Sequence, residues 1–541
     1  MNTRILAVSL AVVAVAFGLG AWLGQRGSAI VPVAPTGPAP IVTTPAPTVT
    51  YTAAPVVASE STATPTATKI HLPIVQKVEP MFYVATAGSN QTGDGSIQRP
   101  WATITYALEH VPDRAVILVR PGRYDGQVDL RGTFAHGVIV RSEIPYRAQL
   151  RHNSVVVTGF KAQGITLEGF DIAHSGPGAD IYVIQIQDLR GQSGGVDTAS
   201  RIVLRNNVLH DSYNNDIVKV NNGASQVTIE NNIFYNQAGL DSHIDANSVR
   251  DVVIQDNIFF NDFEGSNRPN LNDTGSFIVI KDSNAQKDTN IGAHNIIVRR
   301  NVFFNWQGES NNTFIAVGED DVTYFQAQHV LIENNLLLGN SPHEIRAPLQ
   351  IRGVRDITFR HNTVVGDLPS KAFAMRLSRA SQNQKNEDIF FYNNIWSDPT
   401  GTMGTDLNSP EFDFSDTDPN DTGSFVLHRN LYWNGPNVLP FDSQELINYT
   451  DDSARIISDP QLPLQQNIIL PRWQPAAGQF ADGSLTIRQA FIRLVEKYGI
   501  PATGSVVIDA ADPAFAPTDD ILGQPRPIGP GPDLGAVEVQ P

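Results

Sequence analysis

An eight-residue repeat constrains the fold of this 541-residue chain more than any other feature. Three copies, at 202–209, 227–234 and 252–259, begin 25 residues apart, and each carries Asn at its sixth position. Sequence repeats of about 20 to 50 residues are typical of solenoids, in which each unit packs only on its neighbours. The chain is therefore predicted to wind into a stack of similar coils.

Six further copies extend this pattern, and the sixth position is Asn in all of them except the first. They occupy 165–172, 296–303, 330–337, 357–364, 389–396 and 425–432. The alternating apolar residues of each copy are typical of a β-strand. A step of 25 residues holds two or three short strands more comfortably than a strand, a helix and their loops. The coils are therefore predicted to consist of strands.

The Asn at the sixth position is interpreted as structural. Stacked coils would place equivalent residues about 4.8 Å apart, so an inward Asn can hydrogen-bond to the Asn of each neighbouring coil. The residues two positions later would form an apolar stack, and they include Phe234, Phe259, Phe303, Leu337 and Trp396.

Where the interval between copies grows, the extra residues are predicted to leave the coils as loops. The predicted loops are centred on 263–275, 284–295, 308–326 and 397–423.

The N-terminal residues differ from the repeat region. Arg4 precedes 19 uncharged, mostly apolar residues, which as a helix would be about 28 Å long, close to the thickness of a bilayer core. Residues 1–26 are interpreted as an uncleaved membrane anchor or, alternatively, as a cleaved signal peptide. Residues 27–78 are rich in Pro and Thr and are predicted to be a disordered stalk. Either way, the protein is predicted to lie outside the cytoplasm, anchored to the membrane by its N-terminal helix or secreted.

The rest of the chain is divided into a repeat region with an N-terminal cap at 79–440 and a C-terminal capping region at 441–541. Helical spacing of apolar residues predicts a short helix over 103–111. A second helix is predicted over 485–498, with Ser484 as its N-cap and Gly499 as its end.

Composition excludes several classes of site. The chain has no Cys, so disulfides, thiolate metal sites and Cys nucleophiles are absent. The formal net charge of −17 leaves no overall basic surface, and no nucleic-acid partner is predicted.

A second series of strands precedes the Asn-containing copies. These predicted strands occupy 182–187, 217–221, 243–247, 277–281, 348–352 and 373–377. We align as inward residues Ile186, Val220, Ile244, Ile280, Ile351 and Leu377, so that their neighbours point outward. One outward column then consists of Gln185, Lys219, His243, Val279, Gln350 and Arg376. The adjacent outward column consists of Gln187, Asn221, Asp245, Lys281, Arg352 and Ser378.

The chain from about residue 80 to its end resembles the right-handed parallel β-helix proteins of the pectate-lyase-like superfamily. The resemblance rests on the Asn repeats and on two closing segments, Ile508-Asp-Ala-Ala-Asp-Pro513 and Asp533-Leu-Gly-Ala-Val-Glu538. Three N-terminal motifs are similar to those of family 9 polysaccharide lyases: Phe82-Tyr-Val-Ala-Thr-Ala-Gly-Ser-Asn90, Pro100-Trp-Ala-Thr-Ile104 and Val119-Arg-Pro-Gly-Arg-Tyr124. The resemblance implies an all-β fold, a right-handed parallel β-helix solenoid with short helical caps.

In lyases of this superfamily a Lys or Arg takes the proton beside a uronic carboxylate, and Ca²⁺ bound by Asp neutralises that carboxylate. Carried onto the outward columns, this implies four catalytic candidates: Lys219, Lys281, His243 and Arg352. Either lysine would be the base, and neighbouring cations could supply the lowered pKa that a base needs. The candidates for substrate binding are Arg376, Asn221 and Gln350. The candidate Ca²⁺ ligands are Asp211, Asp216, Asp241 and Asp245.

The sequence leaves two functions open. The cationic residues of the two columns favour an extracellular, anionic polysaccharide as partner, which the protein would bind or degrade. If it is an enzyme, a lyase is favoured over a glycoside hydrolase, because no pair of carboxylates has a suitable assured spacing. Family 9 lyases carry a denser Asp cluster where this chain has Asn214-Asn-Asp216. The alternative is a non-catalytic adhesion or carbohydrate-binding protein, in which the charged columns are a solvated sheet face with cross-strand ion pairs.

Overall fold

The structure, a computed structural model, describes residues 79–188, 198–284, 291–339, 341–365, 372–404 and 413–540. The predicted membrane helix and stalk lie outside these residues. No helix within the described ranges is long and apolar enough to cross a membrane.

The described strands of the solenoid form three parallel ladders, and a complete coil gives one strand to each. The first ladder contains Ile184–Gln187, Val218–Asn221, Ser242–Asn247, Ser276–Lys281, Thr313–Val317, Ala347–Arg352 and Arg376–Ser378. The second contains Met81–Val84, Val116–Val119, Ser200–Arg205, Ser225–Glu230, Arg250–Gln255, Ala293–Arg299, Ala327–Glu333, Arg355–Arg360, Glu387–Tyr392 and Phe425–His428. Two long strands, Val128–Ser142 and Val157–Glu168, run from the first ladder into the second.

The third ladder follows the bend at the end of each second-ladder strand. It contains Gly122–Asp125, Ala148–His152, Asp171–His174, Val208–His210, Ile233–Tyr235, Ile258–Phe260, Val302–Phe303, Leu336–Leu338, Thr363–Val365, Ile395–Ser397, Leu431–Trp433 and Ile456–Ile457. Crossovers between parallel strands are right-handed. The chain is a right-handed parallel β-helix, which confirms the predicted fold class.

A left-handed residue makes the corner between the second and third ladders. It directly precedes the sixth position of each repeat, with φ of +51° at Asn231, +58° at Asp256 and +53° at Arg300. Asn and Asp adopt this conformation more readily than other non-glycine residues. The sharp bend turns the next side chain, the repeated Asn, into the coil.

The repeated Asn residues form a continuous hydrogen-bonded ladder, as the sequence predicts. Asn257 Nδ2 donates to the Ile229 carbonyl at 2.9 Å and to Asn301 Oδ1 at 3.0 Å. Asn257 Oδ1 accepts from the backbone N–H and from Nδ2 of Asn232, at 2.9 and 3.1 Å. The ladder ends at Asp452, whose carboxylate accepts from Asn430.

The predicted apolar stack lies beside this ladder. The rings of Phe234, Phe259 and Phe303 are stacked with centroids 4.8 and 4.9 Å apart, and strand pairing continues the stack through Leu337 to Trp396. The interior is therefore a column of similar side chains, held in register by the Asn ladder.

One predicted loop contains a strand instead. Thr313–Val317 lies within the interval 308–326 and pairs with Ser276–Lys281 on one side and Ala347–Arg352 on the other. Its Ile315 and Val317 are fully buried. The sequence interpretation missed it because the repeated Asn marks only the second strand of a coil.

Two α-helices are present among the described residues. Ile104–His110 is capped by Thr103, within the predicted range. Ile487–Tyr498 ends at Gly499 as predicted, but its N-cap is Thr486, whose side chain accepts from the Gln489 N–H, and not Ser484. Residues of the second helix pack on outward apolar residues of the third ladder.

The remaining described elements are short. They are the antiparallel strands Trp473–Gln474 and Gln479–Phe480 and the 3-10 helices Tyr449–Asp451 and Pro513–Phe515.

Candidate functional site

The outward side of the first ladder brings four predicted site residues together. Lys219 and Asp245 occupy directly paired positions on neighbouring strands, and their side chains form an ion pair. Asp216 Oδ2 lies 3.5 Å from Lys219 Nζ. Lys281, one strand beyond Asp245, places its Nζ 3.9 Å from Asp245 Oδ2. We call Asp216, Lys219, Asp245 and Lys281 the ionic cluster.

Two carboxylates that the sequence interpretation missed complete the surroundings of Lys281. Its ammonium forms an ion pair with Glu319 and lies 3.4 Å from Asp320 Oδ2. Both acids follow Thr313–Val317, the strand within the predicted loop 308–326. The acidic run 319–321 directly after an apolar stretch was the available signal. These partners are 44% and 33% exposed, whereas the Lys281 side chain is 13% exposed.

Both lysines of the cluster are held protonated. Burial disfavours the charged form of Lys219, but the carboxylates of Asp245 and Asp216 outweigh burial and raise its pKa above the usual value. Burial likewise opposes the charge of Lys281, and Asp245, Glu319 and Asp320 raise its pKa in the same way. The prediction that neighbouring cations lower a lysine pKa here is wrong, because the nearest charged groups are carboxylates.

The carboxylates of the cluster are incompletely paired. Burial raises the pKa of Asp216 well above its usual value; Lys219 opposes this rise, and the negative charge of Asp245 adds to it. Asp216 Oδ1 accepts from the Ser242 N–H at 2.9 Å, but Asp216 Oδ2 and Asp245 Oδ1 are buried without a hydrogen-bond partner. Unpaired buried polar atoms are rare, and perturbed pKa values concentrate at functional sites. The cluster is therefore the leading candidate site.

Asp211, a predicted Ca²⁺ ligand, belongs to a different group of charges. Its carboxylate contacts His210 Nδ1 at 2.7 Å and Arg268 Nη1 at 2.8 Å, at the end of the third-ladder strand Val208–His210. Burial works against its charge, but these two cations hold the pKa of Asp211 below its usual value. The structure does not bring Asp211 to the ionic cluster.

The other predicted Ca²⁺ ligands do not converge either. The Lys219 ammonium contacts both Asp216 and Asp245, so a cation of the protein already occupies the place between these carboxylates. Burial and the charge of Asp245 raise the pKa of Asp241, which is partly exposed. Within the described ranges, no three His, Asp or Glu side chains could together hold a metal ion. These residues do not fit the predicted Ca²⁺ site.

His243 lies inside the coil, and its predicted outward position is wrong. It lies near the start of the strand Ser242–Asn247, where the alternation of inward and outward side chains does not hold. Separately, Val220 pairs with Ala246 and not with Ile244, so the predicted alignment is displaced by two residues at this strand. The His243 ring is fully buried, 4.6 Å from the Phe277 ring, and burial lowers its pKa to about 3. A buried neutral ring cannot contact a polysaccharide.

Replacing His243 with Phe is therefore expected to preserve function. The variant keeps the aromatic stack and loses one hydrogen bond, from His243 Nε2 to Asn261 Oδ1 at 3.3 Å. The free energy of unfolding should change by about 1 kcal/mol or less. Urea denaturation and the activity assay described below measure both. A loss of activity above about tenfold in a folded variant would return His243 to the site.

The predicted substrate-binding residues lie at both ends of the same face. Arg376 Nη1 donates to Gln350 Oε1 at 3.0 Å. Arg352, one of the four catalytic candidates, lies beside them and donates to Ser378 Oγ at 3.3 Å and to the Glu319 backbone carbonyl at 2.9 Å. Asn221 is buried beside the cluster, and its Oδ1 has no hydrogen-bond partner.

The face as a whole is not the cationic cluster that the sequence predicts. Among the described residues its cations are Lys219, Lys281, Arg346, Arg352 and Arg376. Its carboxylates are Asp216, Asp241, Asp245, Glu319, Asp320 and Asp416. Acidic groups therefore outnumber basic ones along the ladder, and any excess of positive charge is local.

No protein-family model matches this chain, and no curated protein matches it in sequence. Among solved structures it is similar to pectate lyase Pel9A, with 12% identity, a TM-score of 0.49 and coverage of 85% of this chain and 97% of that one. It is also similar to a rhamnogalacturonan lyase, with 12% identity, a TM-score of 0.42 and coverage of 76% and 98%. A family 6 polysaccharide lyase from Pseudopedobacter saltans has 14% identity, a TM-score of 0.41 and coverage of 69% and 95%. These are similarities of fold, and they assign no role to any residue.

Proposed function

We propose that this protein lies outside the cytoplasm and cleaves a uronic-acid polysaccharide by β-elimination on the outward face of the first ladder. The ionic cluster carries the proposal: two lysines and two carboxylates are packed side by side, and two carboxylate oxygens lack hydrogen bonds. Burying incompletely paired charges costs stability, so a functional reason is expected. Solenoids commonly bind extended ligands along their coils. The apolar run at 5–23 supports the location.

Lys281 is the base in this proposal. Two of its partners, Glu319 and Asp320, follow a strand end and are partly exposed, whereas Asp216 and Asp245 are buried, so Lys281 lies at the end of the cluster nearer to solvent. In its neutral form Lys281 would take the proton on the carbon beside the uronic carboxylate. The electron pair of that C–H bond forms the new C=C bond, and the bond to the leaving sugar oxygen breaks; that oxygen takes a proton from water.

Lys219 has a different role, because its partners are the buried carboxylates of Asp216 and Asp245. It holds Asp245 in place beside Lys281 and balances part of the negative charge. A raised pKa leaves only a small neutral fraction of Lys281 near neutral pH, but that fraction is a stronger base toward the weakly acidic C–H bond beside a carboxylate. Since only the neutral amine accepts a proton, cleavage should increase as the pH rises into the alkaline range.

The decisive test is incubation of the protein with polygalacturonate and with alginate at alkaline pH. β-Elimination creates an unsaturated uronate, so ultraviolet absorbance should increase with time. Cellulose oligomers serve as the control, because a neutral sugar has no carboxylate to acidify the proton. New reducing ends without new absorbance would show hydrolysis and contradict the proposal.

The protonated state of both lysines favours a second function, binding without cleavage. Ammonium groups held charged by neighbouring carboxylates can still contact a polyanion. In that case the protein would retain labelled polygalacturonate or alginate on a column without releasing product, and retention would weaken with increasing salt.

A further inference from the structure

A group of arginines lies farther along the same face than the ionic cluster. Arg346 Nε and Nη2 both lie 3.0 Å from Asp416 Oδ2, and Arg376 Nε lies 2.9 Å from the same oxygen. Both guanidinium groups therefore share one carboxylate oxygen. Their side chains are 26% and 22% exposed, so solvent reaches them.

The hydrogen bonding of Arg376 is incomplete. Its Nε is buried and makes no hydrogen bond of good geometry, although the Asp416 oxygen is near. Its Nη1 donates to the neutral side chain of Gln350. Burial lowers the pKa of Arg376; Asp416 opposes this effect, and the positive charges of Arg346 and Arg352 add to it.

Three guanidinium groups lie close together at this point of the ladder. The described hydrogen bonds of Arg352 go to the Ser378 hydroxyl and to the Glu319 backbone carbonyl, both of which are neutral. The Arg352 charge also lowers the pKa of the nearby Asp321 carboxyl. Asp321 itself accepts hydrogen bonds from Ser381 and Gln382. Three guanidinium groups, those of Arg346, Arg352 and Arg376, are thus grouped here in a protein whose overall charge is strongly negative, with the carboxylates of Asp416, Glu445 and Asp321 nearby.

We propose that Arg346 and Arg376 form a subsite for a second uronate carboxylate of the same polysaccharide chain. A guanidinium group presents planar donors that match the two oxygens of a carboxylate, and these charge-assisted bonds are strong. This inference rests on the proposed function, because it adds a contact to the same bound sugar chain.

The fold sets the distance between the two positions. The strand of Arg376 is the third after the strand of Lys281, with Thr313–Val317 and Ala347–Arg352 between them. At about 4.8 Å per strand, the subsite lies about 14 Å along the ladder from the proposed base. A chain with a carboxylate on each sugar would span both positions, whereas a disaccharide would not.

The test is calorimetric binding of hexamers of galacturonic acid and of mannuronic acid at pH 6, where Lys281 stays protonated. Arg346→Gln and Arg376→Gln should each raise the Kd of the bound hexamer about 10-fold, and the double variant about 100-fold. The fully methyl-esterified hexamer, which is neutral, should bind the wild-type protein and the variants equally. Arg355→Gln is the matched control, because the Arg355 guanidinium stacks on Phe325 at 4.9 Å much as Arg346 stacks on Phe373 at 4.8 Å.

Asp416→Asn separates ligand binding from a structural role. Removing the competing carboxylate should tighten binding of the acidic hexamer several-fold, whereas a merely structural ion pair would lose stability and binding together. Equal losses for the acidic and neutral hexamers, or wild-type affinity in the double variant, would overturn the subsite alone. If the wild-type protein binds neither acidic hexamer, the proposed function fails and the subsite fails with it. Arginine-dependent binding at pH 6, combined with no unsaturated product in the alkaline cleavage assay, would contradict the lyase reaction but not the subsite.

Discussion

Replacing Lys281 with Ala is expected to lower kcat for unsaturated product by about 10²- to 10⁴-fold, the usual contribution of a general base. The loss should fall on kcat more than on KM, because the base acts on the transition state. Lys385→Ala is the matched control, since Lys385 is exposed and outside the cluster. Initial rates of ultraviolet absorbance on the cleaved polymer measure both variants. A Lys281→Ala rate within threefold of the wild-type rate would dismiss Lys281 as the base.

The pH profile of the wild-type protein tests the same role independently. An ordinary lysine titrates near pH 10.4, and the carboxylates around Lys281 raise its pKa further. The neutral fraction, and with it kcat/KM, should therefore rise about tenfold per pH unit between about pH 8 and pH 10. A flat profile over this range would mean that Lys281 contributes a positive charge and that another group accepts the proton.

Replacing Asn257 with Ala is expected to lower the free energy of unfolding by about 3 to 5 kcal/mol. The substitution removes four hydrogen bonds of a buried side chain and leaves the Asn232 N–H and the Ile229 carbonyl short of partners. Each unsatisfied buried group costs about 1 to 3 kcal/mol. Urea denaturation followed by circular dichroism measures the change.

Asn420→Ala is the control for this experiment. Asn420 is exposed, and among the described residues its side chain hydrogen-bonds within its own turn, to Asp418 at 3.0 Å. The control should change stability by about 0.5 kcal/mol or less. If Asn257→Ala is no more destabilised than the control, the Asn ladder does not stabilise the coils.

The second-ladder strands and the Asn ladder could be predicted because their information is local and repeated. Eight residues specify a strand, a left-handed corner residue and an inward Asn, and successive copies must stack in one register to pair Asn257 with Asn232 and Asn301. Periodicity thus replaces the long-range information that most folds need.

The first-ladder strands carry no such marker, and the prediction failed at two of them. Alternation alone distinguishes inward from outward residues but permits a shift of two, which exchanged Ile244 for Ala246. A shift of two keeps each side chain on its face, so His243 was misplaced for another reason: it lies near the start of its strand, where alternation does not hold and its ring stacks with Phe277 inside the coil. The strand Thr313–Val317 was not predicted because no repeated residue marks the first-ladder strands. Only the folded structure fixes the pairing of these two strands, because each strand pairs with the strand of the preceding coil.

The amino-acid sequence by itself determined the stacked coils, their Asn ladder and the face on which Lys219, Asp245 and Lys281 meet. Only the tertiary structure decided which charges neutralise which. Glu319 reaches Lys281 across 38 residues and Asp416 reaches Arg346 across 70. Ionisation depends on burial and on groups within a few ångströms, and neither can be read from residue spacing once loops of unequal length separate the coils.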